Sequence, residues 1–307
     1  MKKQLAVFGL LALAGSSALA TTPPWSDGFE SYSTGTLTGG GWTPVSGYFV
    51  VSTADSPHGG SKHVAMTTGA FGDWNGSAWT NSNAVYVDND VSYAPSGSDP
   101  FLVTYTGWVK ILGAGTNTRP VASGFELLNG AGGTIAQAWI TAAGEFGILA
   151  VYDTDPLNFG ETYISSGANI DETAYHKLTI KCDLKHGLTR FELDDSLLHV
   201  SGNLKPAIGG TSLIANALPK ASPASQATLT AYYDDVSVTA SAACPGDLNL
   251  DGVVDEDDHT LFDEQYSIFD CAEAVAPLFC SADLNFDGYV DQDDWVIFSY
   301  YNVYGCP

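Results

Sequence analysis

The chain has 307 residues, 45% of them hydrophobic, and a formal net charge of −24 with an isoelectric point near 4.1. A surface so acidic repels nucleic acid and anionic lipid, which leaves neutral polymers and divalent cations as the partners it permits. No run after the first twenty residues approaches the ~20 apolar residues a membrane helix needs, so no membrane span is expected.

Residues 1–20 have the form of a secretory signal peptide. Lys2 and Lys3 make a positive start, "LAVFGLLALAG" is apolar but too short to span a bilayer, and Ala18-Leu19-Ala20 is a small-x-small cleavage site. The mature chain should therefore begin at Thr21, be exported, and carry a charge of about −26 once the two lysines are lost.

From residue 21 to 238 the chain reads as all-β. "FLVTYTGWVKIL" (101–112), "TIAQAWI" (134–140), "FGILAVYD" (146–153), "HKLTIKCDL" (176–184), "TRFELD" (189–194) and "ATLTAYYDDVSVT" (227–239) alternate apolar and polar side chains between Gly, Asn, Asp and Pro turns. No amphipathic helix of useful length separates them. Cys182 alternates with Leu178, Ile180 and Leu184 and should face a core as an inert thiol.

Three phrases, "DGFESYSTGTLTGGGW" (27–42), the hairpin "TRFELDDSLLHV" (189–200) and "YYDDVSV" (232–238), make this region resemble the concanavalin A-like, laminin-G-like jelly rolls of lectins, carbohydrate-binding modules and some glycanases. The resemblance implies one large antiparallel jelly-roll sandwich. It also implies that Glu30 from the first strand and Asp235 from the last are candidate ligands of a calcium ion in the sandwich; as plain strand-end carboxylates they would instead face water.

Hydrolysis of a glycosidic bond needs two carboxylates astride it. The family 16 glycanases of this fold carry E-x-D-x-x-E on one strand. Here Glu192 and Asp194 match but Leu197 stands where the second Glu belongs, so that mechanism is disfavoured. Asp153, Asp155 and Glu161 lie near one loop and are as easily read as solvated acids. His58, His63, His176, His186 and His199 show neither H-x-x-x-H spacing nor a G-x-S-x-G partner.

A sugar face is the more natural expectation, since the axial C–H bonds of a sugar pack on aromatic rings while its hydroxyls seek amides and carboxylates. "FGDWNGSAWTNSNAVY" (71–86) supplies Trp74, Trp79 and Tyr86 with Asp73 and Asn75. The competing reading has these indoles folded back over a sheet edge.

After a short linker (239–243), residues 244–307 hold fifteen Asp and Glu and no Lys or Arg. "DLNLDGVVDEDD" (247–258) returns as "DLNFDGYVDQDD" (283–294). Asp247, Asn249 and Asp251 stand at positions 1, 3 and 5. Gly252 permits the bend at 6, Val253 offers its carbonyl at 7, and Asp255 and Asp258 occupy 9 and 12, the oxygen-donor pattern of a calcium loop. The second copy supplies Asp283, Asn285, Asp287, Tyr289, Asp291 and Asp294. Leu261, Phe262 and Tyr266, then Ile297, Phe298 and Tyr301, predict a short helix after each loop.

Loop then helix, written twice, resembles the dockerin module, a duplicated F-hand that binds two calcium ions. The resemblance implies a cohesin-like partner, but positions 10 and 11, which carry much of that recognition, are Glu256 and Asp257, then Gln292 and Asp293. Four cysteines of an exported chain fall here, so two disulfides are expected among three pairings; Cys244–Cys306 with Cys271–Cys280 is the favoured one. The sequence thus describes a secreted, calcium-binding, non-catalytic carbohydrate-binding protein. A glycoside hydrolase or polysaccharide lyase on the jelly roll, and a structural extracellular protein binding another protein, are its rivals.

Overall fold

The computed structural model describes residues 22–44, 49–67, 84–112, 121–141, 144–151, 161–165, 170–202, 207–217, 230–266, 281–285, 287 and 289–306. It is an antiparallel jelly-roll β-sandwich followed by two short helices. The strands in chain order are β1 (Trp25–Asp27), β2 (Gly35–Thr36), β3 (Trp42–Pro44), β4 (Phe49–Ser52), β5 (His63–Thr67), β6 (Ala84–Asn89), β7 (Leu102–Leu112) and β8 (Val121–Asn129). They continue as β9 (Thr134–Thr141), β10 (Phe146–Ala150), β11 (Glu161–Ser165), β12 (His176–Asp183), β13 (Leu188–Leu193), β14 (Ser196–Gly202), β15 (Ile208–Ala217) and β16 (Thr230–Ser241). Helices α1 (Glu256–Tyr266) and α2 (Gln292–Tyr304) close the chain.

Two sheets face each other. The larger runs β14-β13-β12-β7-β16-β5-β4-β2, with β1 also paired to β16, and the smaller runs β11-β10-β9-β8-β15-β6-β3. The first and last strands thus lie side by side, with Trp25 opposite Val238 and Asp27 opposite Val236. Period-two alternation sends one set of each strand's side chains inward: Val103, Tyr105, Val109 and Ile111 of β7 meet Phe125 and Leu127 of β8 and Leu213 of β15 in one continuous core. Buried hydroxyls bridge the layers there, Tyr105 donating to Ser212 O (3.3 Å) and Tyr233 to Ile214 O (2.7 Å). Cys182 is among the core residues, and burial pushes its thiol up to about 12, so it is inert at neutral pH.

The "TRFELDDSLLHV" hairpin forms as expected. Asp194 and Asp195 both take positive φ (51° and 64°), the two-residue turn whose twist matches the flanking strands. Glu192 is spent there structurally, accepting from Arg190 Nε (2.6 Å) and Lys181 Nζ (2.8 Å).

The terminal segment packs on the outer side of the larger sheet. β16 runs on to Ser241. Leu188 joins a second core made of Leu248, Leu250, Val254, Phe262, Ala282, Leu284, Val290 and Phe298, with Leu102 and Val200 packed against it. A disulfide joins Cys244 to Cys306 across a separation of 62 residues. Cys271 and Cys280 lie outside the described residues.

Candidate functional sites

The two acidic loops fold alike. In the first, Asp247 Oδ1 accepts from Asp251 N (3.0 Å) and its Oδ2 from Gly252 N (2.9 Å). Asp258 Oδ1 accepts from Leu248 N (2.7 Å) and Asn249 N (3.0 Å), and its Oδ2 from Asp255 N (3.0 Å). The second loop repeats each bond on its own Asp294: Leu284 N and Asn285 N on Oδ1, Asp291 N on Oδ2. Asp291 at position 9 is also the N-cap of α2 and completes a capping box with Asp294. Gly252 adopts φ 99°, the left-handed bend that only glycine enters without strain.

These residues fit a calcium ion by the chemistry of their donors. Burial, reinforced by the negative charges of Asp258 and Asp251, pushes the Asp247 carboxyl up to about 7, and burial also raises Asp258. A nearby cation removes that penalty. Among the described residues no three His, Cys, Asp or Glu side chains form a metal cage on their own. The set here is instead mixed, as a hard cation with six to eight oxygens requires: carboxylates, an Asn amide oxygen and a main-chain carbonyl.

The sandwich reaches into the first loop. Arg190 Nη1 donates to Asn249 O (2.8 Å), with Asn249 Oδ1 at 3.4 Å, and Lys181 Nζ lies 3.4 Å from Leu250 O. Val296, Tyr300, Val303 and Tyr304 of α2 are exposed.

Glu30 and Asp235 are brought to the same loop, residues 58–62. Glu30 Oε1 accepts from Ser61 N and Lys62 N (both 2.7 Å) and its Oε2 from Ser61 Oγ (2.8 Å); these bonds hold its pKa below the usual range. Asp235 sits at a bulge in β16 with φ 46° and bonds His58 Nδ1 through Oδ2 (2.7 Å). Both carboxylates are thus held by protein donors. Beside them His58 stacks on Trp108, and Lys110 donates to the main chain of Asp55 and Ser56 while facing the rings of Tyr175 and Tyr232.

A third locus was not legible as a site in the sequence. On the side of the smaller sheet that faces away from the core, one row of residues lies in register. Asp88 and Glu126 both pair with Ser212, and Gln137 pairs with Glu126. Asp88 Oδ1 accepts from Ser212 Oγ (2.5 Å), while Glu126 Oε1 accepts from Thr134 Oγ1 (2.5 Å) and Gln137 Nε2 (2.7 Å). One row along is Trp139, paired with Gly124 and Gly147. Its indole lies against β10, where a Cβ on Gly147 would come within 2.3 Å of Nε1.

The far side of a sheet usually faces water, yet Ser212 is 0%, Trp139 3% and Glu126 8% exposed. Polar side chains are thus buried on the side of the sheet that faces away from the core. The only sequence signal was Gln137 and Trp139 sharing a face of "TIAQAWI"; β8 and β15 were not read as strands at all. Of the expected sugar face, Trp74, Trp79, Asp73 and Asn75 lie outside the described residues. So does the side chain of Tyr86, a residue of β6. Asp153, Asp155 and the side chain of Glu161 also fall outside.

No family model and no curated protein matches the chain. Solved structures similar in fold include alginate lyase A1-II′, a member of polysaccharide lyase family 7, at TM-score 0.44 and 11% identity, covering 65% of this chain and 86% of that one. A Bacillus licheniformis β-glucanase matches at 0.44 and 15%, covering 70% and 97%. An endo-1,3-β-glucanase from Streptomyces sioyaensis matches at 0.47 and 10%, covering 75% and 100%.

Proposed function

We propose that this chain is an exported, calcium-binding protein that holds a neutral polysaccharide against its smaller sheet and attaches to an extracellular partner through its terminal module. The observation that carries the glycan reading is the buried polar row Asp88–Ser212–Glu126–Gln137 beside Trp139, on a sheet face turned away from the core. Carboxylate, hydroxyl and amide partners next to an aromatic ring are what a sugar's hydroxyls and C–H faces require. The acidic charge favours neutral over anionic polymers.

The calcium reading rests on the duplicated loops. Asp247, Asn249, Asp251, the Val253 carbonyl, Asp255 and Asp258 would hold one ion; Asp283, Asn285, Asp287, the Tyr289 carbonyl, Asp291 and Asp294 would hold the other. When bound, the ions supply the positive charge that the module lacks. The exposed face of α2, with Val296, Tyr300, Val303 and Tyr304, is the surface we assign to a cohesin-like partner.

Affinity electrophoresis of the mature protein in gels of neutral β-glucans, xylan, galactomannan and, as control, alginate tests the glycan reading. Retardation by a neutral polymer, weakened in Gln137→Ala without loss of folded spectra, is expected. Equal mobility in every gel would remove it.

A further inference from the structure

We propose that Arg190 of the sandwich is a positioning residue for the first acidic loop, so that calcium entering that loop and docking of the module on the sandwich reinforce each other, while the second loop fills independently. This rests on the calcium reading above and adds to it a division of labour between the two loops. Both carry the same internal bonds, from Leu248 N and Asn249 N onto Asp258 in one and from Leu284 N and Asn285 N onto Asp294 in the other. What each loop touches is different.

Position 3 carries the contrast. Asn249 is buried beside β13: Arg190 Nη1 donates to its main-chain oxygen at 2.8 Å and lies 3.4 Å from its Oδ1, the oxygen assigned to the ion. That Oδ1 is also fixed from within the loop by Asp251 N (2.8 Å). The next carbonyl, Leu250 O, lies 3.4 Å from Lys181 Nζ, and Leu250 takes φ 57°, a backbone that strains a leucine and needs support from its surroundings. Its side chain is buried in the core that Leu188 of β13 joins. In the second loop Asn285 is only half-buried, and among the described residues its bonds end on Asp287 and Asp294 of its own loop.

Two effects of Arg190 on an ion oppose each other. Its positive charge repels a cation, while its hydrogen bonds hold the loop in place and reduce the freedom the loop must lose when it closes on one. Glu192 decides between them. Its Oε1 accepts from Arg190 Nε (2.6 Å) and from Lys181 Nζ (2.8 Å), so the guanidinium is already paired within the sandwich and its charge towards the loop is offset. Arg190 also reaches the loop through a carbonyl and an amide oxygen, which leaves the carboxylates of Asp247, Asp251, Asp255 and Asp258 to the ion. Ordering therefore outweighs repulsion. Such coupling is reciprocal: whatever docking adds to the affinity of the first loop, an ion in that loop adds to docking.

Calcium calorimetry of the full mature chain tests this in two backgrounds: Asp283→Ala, which leaves the first loop to bind, and Asp247→Ala, which leaves the second. Arg190→Met should weaken calcium in the first background about 5–150-fold and change it less than about twofold in the second. Limited proteolysis between residues 241 and 247 reads the reverse direction with Arg190 in place. Calcium should slow cleavage in Asp283→Ala and leave the rate unchanged in Asp247→Ala. Unchanged or tighter binding in the first background, equal weakening in both, or the same response to calcium in both proteolysis arms overturns the coupling and leaves the calcium reading standing. No calcium bound by the chain with both loops intact overturns the two together.

Discussion

His63 on β5 has no exposed surface. Its Nδ1 meets the Tyr175 hydroxyl at 2.7 Å, its ring lies 4.4 Å from that of Tyr232, and its Nε2 has no partner. Burial, assisted by the charge of Lys110, lowers its pKa from 6.5 to about 4. Between those values the unfolded chain binds a proton that the folded chain refuses, so stability rises with pH across this window and falls on acidification. The full effect is on the order of 3 kcal/mol. His63→Phe should therefore flatten the dependence of the urea midpoint on pH between about 4 and 6.5. Wild-type and variant curves that run parallel there would contradict the assignment. The sequence marked His63 only as an ordinary histidine. Its neighbours come from 112 and 169 residues further along the chain, a proximity no local pattern announces.

At the level of elements, legibility followed alternation. β7, β9, β10, β12, β13 and β16 were read within a few residues of their observed ends because each alternates apolar and polar side chains between turns. β15 escaped because "IGGTSLIANA" opens on two glycines and places Ser, Thr and Asn where a marker was needed. With β15 unread, the row that joins Asp88 to Glu126 could not be seen, since each is in register with the other only through Ser212. The helices were legible from their apolar spacing. Phe262 and Phe298 are buried and meet at 5.0 Å, so Phe298→Ala should cost about 3–5 kcal/mol of module stability, read by denaturant titration of near-UV ellipticity. A loss under 1 kcal/mol would mean that this core is not what holds the two repeats together.

Arg190 ties the two cores at the same scale. It is buried, bonds Glu192, and reaches the main chain of Asn249 within the first acidic loop. Arg190→Met keeps the Lys181–Glu192 pair but cuts that tie. Faster proteolysis between residues 241 and 247, with the sandwich still folded, is expected; an unchanged cleavage rate would show that Leu188, Leu102 and Val200 suffice for docking.

Across the whole molecule, charge is divided unequally: fifteen acids and no Lys or Arg sit in the last 64 residues. Such a module repels itself unless cations enter, yet the Cys244–Cys306 disulfide closes 62 residues and limits its unfolded freedom by about 4 kcal/mol. Chelation should therefore loosen the module without unfolding the sandwich, whose core is separate. Two melting transitions in chelator, merging or converging on added calcium, are the expected outcome. The most direct measurement is calcium calorimetry on the mature chain beside an Asp247→Ala/Asp283→Ala double variant. The variant should bind two fewer equivalents than the wild type, whereas equal stoichiometry in the two proteins would contradict the assignment of both loops.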